Sequence, residues 1–236
     1  MTGFFRYPHT PHIDWLAEGQ PRDDKVLSPV ESARLLASEV VIEEKLDGAN
    51  LGFSIGPDGE LRAQNRGQYL LRPFTGQFAR LDDWLQEHQD RLFDALTEPL
   101  IVFGEWCAAR HSLDYDRLPD WWLMFDVYDR EAQQFWSTGR RHELASSVRT
   151  AEVPLLHRGR ISLAQLRGCA TRQASRFREG PVEGLVVRRE DSLWLQDRAK
   201  LVCPGFAQAI TDHWRSRPLA WNRIVHDDGR HSLLKR

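Results

Sequence analysis

The chain has 236 residues, of which 41% are hydrophobic and 28% charged, and its formal net charge is −2. That balance excludes disordered, collagen-like and coiled-coil chains, and no apolar run approaches the ~18 residues of a membrane span. The first residues lack the basic and apolar regions of a secretory signal, and three scattered cysteines (Cys107, Cys169, Cys203) suggest reduced thiols, so a cytoplasmic globular protein is expected.

In chain order, Ser28-Pro29-Val30-Glu31 reads as a helix start, with Ser28 as cap, Pro29 in the first turn and Glu31 closing a capping box. The helix should run to about Ser38. Val40 to Glu44 is an apolar strand that delivers Lys45 to an Asp47-Gly48 turn. Asn50 to Ile55 continues as a strand, and Gly56-Pro57-Asp58-Gly59 returns the chain along Glu60 to Asn65 as a hairpin. Residues 80–96 carry a helical stripe of Leu81, Trp84, Leu85, Leu92 and Leu96. Strands are predicted at Leu100 to Trp106 and Trp121 to Tyr128, and helices near 140–150 and 162–173. Three more strands follow, at Leu185 to Arg188, Leu193 to Leu195 and Ala199 to Val202. A helix over 205–215 closes the pattern. Interspersed elements joined by hairpin turns point to an α+β fold with mostly antiparallel sheets.

Charge is unevenly placed. Residues 158–200 hold ten Arg or Lys against five Asp or Glu, a local +5 that suits either a solvated face or a nucleic-acid track. Only four of the 32 basic residues are lysines: Lys25, Lys45, Lys200 and Lys235. Lysine can lose its proton and act as a nucleophile, whereas arginine cannot. Lys45, at the end of a buried strand beside Asp47 and Gly48, is therefore the leading candidate. An amine nucleophile needs its pKa pulled down by burial or nearby cations, and Gly48 would let a bulky phosphate approach the backbone. Glu105 and Glu183 stand inside apolar strands, where a lone carboxylate is costly without a metal or a partner. His9 and His12 have a zinc-like spacing, but no further Cys or His stands suitably near, so no zinc site is expected. Cys107 and the histidines at 111, 142 and 213 are read as structural.

Six short motifs recur in order: Lys45-Leu46-Asp47-Gly48, Asn65-Arg66-Gly67, Phe103-Gly104-Glu105, Leu123-Met124-Phe125-Asp126, Glu183-Gly184-Leu185-Val186 and Arg198-Ala199-Lys200. The series, spread over residues 40–202, resembles the covalent nucleotidyltransferase superfamily of ATP-dependent ligases and capping enzymes. Asn50, five residues after Lys45, is similar to the RNA ligases of that superfamily. Asp47 and Arg198 depart from them, toward the DNA-ligase style and away from a first lysine respectively.

The resemblance implies an α+β nucleotidyltransferase (ATP-grasp-like ligase adenylation) domain with mostly antiparallel sheets flanked by helices. It further implies a single minimal domain over 1–236, with 1–39 flanking, 40–202 as the catalytic core and 203–236 as a short helical cap, and no C-terminal OB domain. The implied activity is ATP-dependent RNA ligation: a lysyl-AMP at Lys45, AMP transfer to a 5′-phosphate, and joining to a 3′-hydroxyl in RNA repair. Lys200 would clamp the α-phosphate and help keep Lys45 neutral. Glu183 and Glu105 would hold Mg²⁺ or Mn²⁺, with the ribose hydroxyls as a second role for Glu105. Phe125 would stack on adenine, and Glu43 would read its edge. Asn50, Arg66 and Arg198 complete the nucleotide-binding set, and Arg22 or Lys25 would grip pyrophosphate. RNA, as a nicked duplex or an RNA/DNA hybrid, is the implied partner, with end-healing left to a separate kinase or phosphatase. A minimal DNA ligase and an inactive nucleic-acid-binding module remain alternatives, and a capping-type guanylyltransferase is disfavoured by Asn50.

Overall fold

Ser28 caps the first helix as the sequence implies. Its Oγ accepts from the Glu31 N–H at 3.3 Å, while the Glu31 carboxylate accepts the Ser28 N–H at 2.7 Å. This helix, α1 (Pro29–Leu35), ends short of Ser38, because Leu36 and Ala37 turn back onto Ser32 and Arg34 to feed the next strand. The computed structural model describes residues 3–19, 21, 25–209 and 218–225. After α1 come β1 (Val40–Lys45), β2 (Ala49–Ile55), β3 (Leu61–Gln64), α2 (Leu81–Ala95), β4 (Leu100–Trp106) and β5 (Trp122–Asp129). They are followed by β6 (Gln134–Phe135), α3 (Thr138–Val148), β7 (Ala151–Glu152), β8 (Leu155–Gly159), α4 (Leu163–Arg172), β9 (Gly184–Glu190), β10 (Leu195–Val202) and α5 (Pro204–Ala209).

The strands form two sheets, one in the order β10-β9-β1-β8 and the other β3-β2-β4-β5-β6, with β7 added beside β5. All pairings are antiparallel except β5 with β7. Side chains alternate between the faces of a strand. Val40, Ile42, Leu185, Val187, Ala199 and Leu201 thus share one core with Leu35, Leu166 and Ala170. Their neighbours Glu43, Lys45, Val186, Arg188, Arg198 and Lys200 face the other way, into a cleft. On the second sheet, Leu51, Phe53, Val102, Trp106 and Trp122 pack under the apolar stripe of α2. Trp84 stacks on Phe53 at 5.4 Å and meets Trp122 edge-on at 5.6 Å. Buried aromatics of this size supply much of the energy that holds the helix down.

Several elements differ from the sequence expectation. The two strands expected at 193–195 and 199–202 are one, because Asp197 and Arg198, which interrupt the apolar pattern, pair in register with Arg189 and Arg188. β8 was not anticipated; its pattern is polar because it is an edge strand with mostly exposed side chains. Trp221 to Arg223 are not part of a helical cap. They lie extended, with Asn222 buried, accepting from the Tyr115 N–H at 2.9 Å and donating to the Cys107 carbonyl at 2.8 Å. Of the helix predicted at 205–215, residues 210–215 lie outside the described residues, as do Arg22, His213 and Lys235. All three cysteines are free. No helix among the described residues is long and apolar enough to cross a membrane.

Candidate active site

Lys45 ends β1 opposite Gly184 of β9, which places its side chain over the residue that precedes the β9 strand. That residue is Glu183. Lys45 Nζ donates to both of its carboxylate oxygens, at 2.6 and 2.7 Å. Asn50 and Glu105 stand opposite each other on β2 and β4, and the Glu105 Oε1 accepts the Gly48 N–H at 3.0 Å. Lys45, Gly48, Asn50 and Glu105 line a cleft of about 560 Å³ between the two sheets, together with Glu43, Arg66, Phe125, Arg198 and Lys200. Eight of the nine residues singled out from the sequence for catalysis or nucleotide binding therefore border one space, and the ninth, Glu183, is tied to it through Lys45.

The charge around Lys45 is not what the sequence reading expected. Burial pulls its ammonium down, but Glu183, Glu105 and Asp47 outweigh burial and hold it above the ordinary lysine value. Burial pushes Glu183 up to about 8 and Glu105 up to about 7, against the pull of Lys45. The surrounding acids thus favour the ammonium form of Lys45, not the neutral amine expected from the charge of Lys200.

Gly48 is required by the packing of the strands as well. A Cβ there would sit 2.5 Å from the Trp106 carbonyl oxygen, so β4 approaches its backbone. Asp47 is likewise a fastener: its Oδ2 accepts the N–H groups of Ser112 and Leu113 at 2.7 and 2.8 Å.

Phe125 and Asp126 both reach the cleft although they are consecutive. The β4–β5 register slips by one between Phe103↔Asp126 and Gly104↔Met124, leaving Phe125 as the extra residue of a β-bulge. Such a bulge re-aims side chains that strict alternation would separate. Below it lies a buried ionic layer. Arg141 of α3 donates to Glu43 at 2.7 Å, Glu152 at 2.8 Å and the Phe125 carbonyl at 2.6 Å. Arg188 donates to Asp126 at 2.7 Å, and Arg198 and the Tyr7 hydroxyl also donate to Asp126. Burial raises Asp126, but Arg188 and Arg198 together bring it below the usual carboxylate range.

Two of the cleft residues are already engaged by this layer. Arg198 stands on the cleft face of β10 with its guanidinium held by Asp126 between the rings of Tyr7 (4.5 Å) and Phe135 (4.4 Å). Glu43 borders the cleft with one oxygen committed to Arg141. Arg66 is held by an Asx turn in which Asn65 Oδ1 accepts from Gly67 and Gln68 at 2.8 and 2.9 Å. The buried Arg66 Nε and Asn50 Oδ1 have no hydrogen-bond partner among the described residues. Lys25 is outside the cleft lining, paired with Glu31 at 2.5 Å.

The sequence reading gave no site role to Tyr7, Gln77, Asp126 or Arg188 and took His111 as structural, yet all five line the cleft. Arg188 carried a usable signal, since it stands in an apolar strand just as Glu105 does. Tyr7 carried none: the N-terminal segment reaches the cleft by pairing with β10, where Lys200 N–H donates to the Pro11 carbonyl at 2.8 Å and Ile13 N–H to the Lys200 carbonyl at 2.9 Å.

The RNA ligase family model matches residues 38–202. Among solved structures, the fold is similar to that of a Naegleria gruberi RNA ligase with PPi, at 17% identity and a TM-score of 0.61, over 89% of this chain and 65% of that one. A mutant of the same ligase with ATP and Mn matches at 17% identity and a TM-score of 0.57, over 76% of this chain and 54% of that one. Another, with AMP and Mn, matches at 18% identity and a TM-score of 0.57, with the same coverage. The chain thus spans between about half and two thirds of the length of these structures. No curated protein sequence matches it.

Proposed function

The chain belongs to the RNA ligase family, and from that premise we propose that it is an ATP-dependent RNA ligase that works through a covalent nucleotide on Lys45. The observation that carries the reading is the bidentate Lys45–Glu183 pair beside a nucleotide-sized cleft, since it fixes the one amine at the end of β1 where the cleft residues converge. In the first step Lys45 gives up one ammonium proton to solvent, its Nζ forms a bond to the α-phosphorus of ATP as the bond to pyrophosphate breaks, and the second nitrogen proton leaves with pyrophosphate. A 5′-phosphate oxygen then forms a bond to that phosphorus as the bond to Lys45 breaks and the amine takes up protons again, and a 3′-hydroxyl oxygen finally bonds to the 5′-phosphorus as AMP leaves, its proton passing to solvent.

The residues fit both ATP and a divalent cation. Asn50 Oδ1 and Arg66 Nε are buried polar atoms that lack partners, which suits the hydroxyls and phosphates of a nucleotide. Glu105 and Glu183 would hold Mg²⁺ or Mn²⁺. No group of three or more His, Cys, Asp or Glu is arranged as a cage among the described residues. Such a cage is not needed, because magnesium is bound by one or two carboxylates plus phosphate oxygens. The cation would supply positive charge to the transferring phosphate and offset the carboxylates that hold Lys45 protonated. Lys200, on the same face as Lys45, would meet the α-phosphate, and Phe125 would stack on the base. On this reading the chain carries the adenylating ligase unit and acts in RNA repair, with 5′-phosphate and 3′-hydroxyl ends prepared by another protein.

The test is sealing of a nicked RNA duplex bearing a 5′-phosphate and a 3′-hydroxyl, run beside the same nick in DNA. The expected result is ATP- and metal-dependent joining of RNA that Lys45→Ala abolishes. Joining of DNA alone would replace this reading by the DNA-ligase one.

A further inference from the structure

Two carboxylates that flank the nucleophile hold loops. Glu44, buried beside Lys45, accepts the Ser175 hydroxyl at 2.5 Å and the Arg176 N–H at 3.0 Å, and Ser175 Oγ in turn accepts the Phe177 N–H at 3.1 Å. Asp47 holds the Ser112–Leu113 loop from the other side. The two loops are stitched together, because the Phe177 carbonyl accepts the N–H groups of Asp116 and Arg117 at 3.1 and 3.2 Å. A third segment joins them: Leu118 N–H donates to the Arg223 carbonyl at 3.0 Å, and Arg223 N–H to the Tyr115 carbonyl at 2.9 Å.

This stitching brings Arg117, Arg176 and Arg223 onto one exposed rim fastened directly to the Lys45 segment. Arg178 stands on the same loop, donating to the Pro181 carbonyl at 2.7 Å. Burial raises Glu44, and the charges of Arg176 and Arg178 are near enough to oppose that rise. Asp116 pairs with Arg117 at 3.1 Å, Asp114 with Arg110 at 3.0 Å, and Asp120 accepts from Trp84 Nε1 at 2.7 Å; with Glu179 these are the acids of the two loops, and Arg110, Arg117, Arg176, Arg178 and Arg223 outnumber them. An exposed pair of neighbours such as Asp116–Arg117 is worth little and exchanges easily for a stronger anion. Arginine on a rigidly held loop is well suited to phosphate oxygens, which accept its fork of N–H donors.

We propose that this rim binds the phosphodiester backbone of the RNA strand whose end is delivered to Lys45, with Arg117, Arg176 and Arg223 as the phosphate contacts. The proposal rests on the ligase reading. Contacts of this kind position a strand without reading its sequence. They also explain the positioning of Glu44 and Asp47: the segment that carries the nucleophile fixes, through its own acids, the surface on which the substrate lies.

The experiment compares the unaltered chain with the triple variant Arg117→Ser/Arg176→Ser/Arg223→Ser and its Lys counterpart. Labelling by α-labelled ATP without RNA is measured beside affinity for a nicked 5′-phosphorylated RNA duplex over a range of salt. The Ser variant should take up label normally, lose about tenfold or more in RNA affinity at low salt, and lose about 0.9 per missing contact from the slope of log affinity against log salt. The Lys variant should recover most of both. Unchanged RNA affinity and slope in the Ser variant would overturn the proposal, as would a Ser-variant defect confined to a matching DNA duplex. A parallel loss of label would overturn it too, by making the rim part of the fold or of the nucleotide site. Absence of label in the unaltered chain counts against the ligase reading instead, so the two failures are read separately.

Discussion

Glu105 faces Asn50 across the strands and holds the Gly48 N–H, yet burial raises its carboxyl to about 7. An unfolded glutamate titrates near ~4.3. Because the folded value is the higher one, the stability that Glu105 contributes is complete below ~4.3 and is lost as pH rises through about 7. Gln at this position keeps the carbonyl acceptor and never ionises. Urea melts should therefore show Glu105→Gln gaining on the unaltered chain between pH 5 and pH 8, by at most about 3 kcal/mol. An equal difference at both pH values would contradict the electrostatic account of this residue. At the residue scale the sequence was informative wherever charge interrupted an apolar strand, as at Glu105, Glu183 and Lys45. It misled about mechanism, because residue types do not reveal that three acids, not a second lysine, dominate the field at Lys45.

The elements place these groups by two devices. Strand alternation puts Glu43, Lys45, Arg188, Arg198 and Lys200 on one face, and this was legible in the pattern of the sequence. The bulge at Phe125 was not, since nothing in Trp122 to Asp129 marks a one-residue slip in pairing. Arg141 ties the bulge carbonyl to Glu43 and Glu152, linking α3 to a strand of each sheet. Arg141→Met would leave both carboxylates buried and short of their cation, so it should cost about 3–5 kcal/mol of stability by urea unfolding. A loss under 1 kcal/mol would show that the clamp is not needed to hold the layer. The cap of α1 offers a smaller test at an exposed end. Ser28→Ala removes the Oγ that accepts the Glu31 N–H, and should cost about 1 kcal/mol. The polar edge strand β8 escaped notice for the same reason that it is stable at an edge: its exposed, charged face carries no apolar alternation.

For the whole molecule, two sheets face each other across a charged layer, and the N-terminal segment and the extended Trp221–Val225 stretch brace the cleft and its rim. Neither brace follows from periodicity, because each is a single run of backbone bonds to a distant partner. The order of six short motifs, by contrast, was legible from the start, and the cleft gathers residues from all six of them. The local excess of positive charge in residues 158–200 resolves into distinct parts: Arg188 and Arg198 are spent in the buried layer, while Arg176 stands on the rim. The central claim is that Lys45 becomes covalently joined to AMP. The most direct measurement is incubation with α-labelled ATP, GTP, CTP or UTP and Mg²⁺ or Mn²⁺ without nucleic acid, followed by denaturation and peptide mapping. The account predicts label from ATP only, stable to alkali and lost in acid as a phosphoramidate is, mapped to Lys45 and absent from Lys45→Ala. Label mapped to another residue, or undiminished in Lys45→Ala, would contradict it.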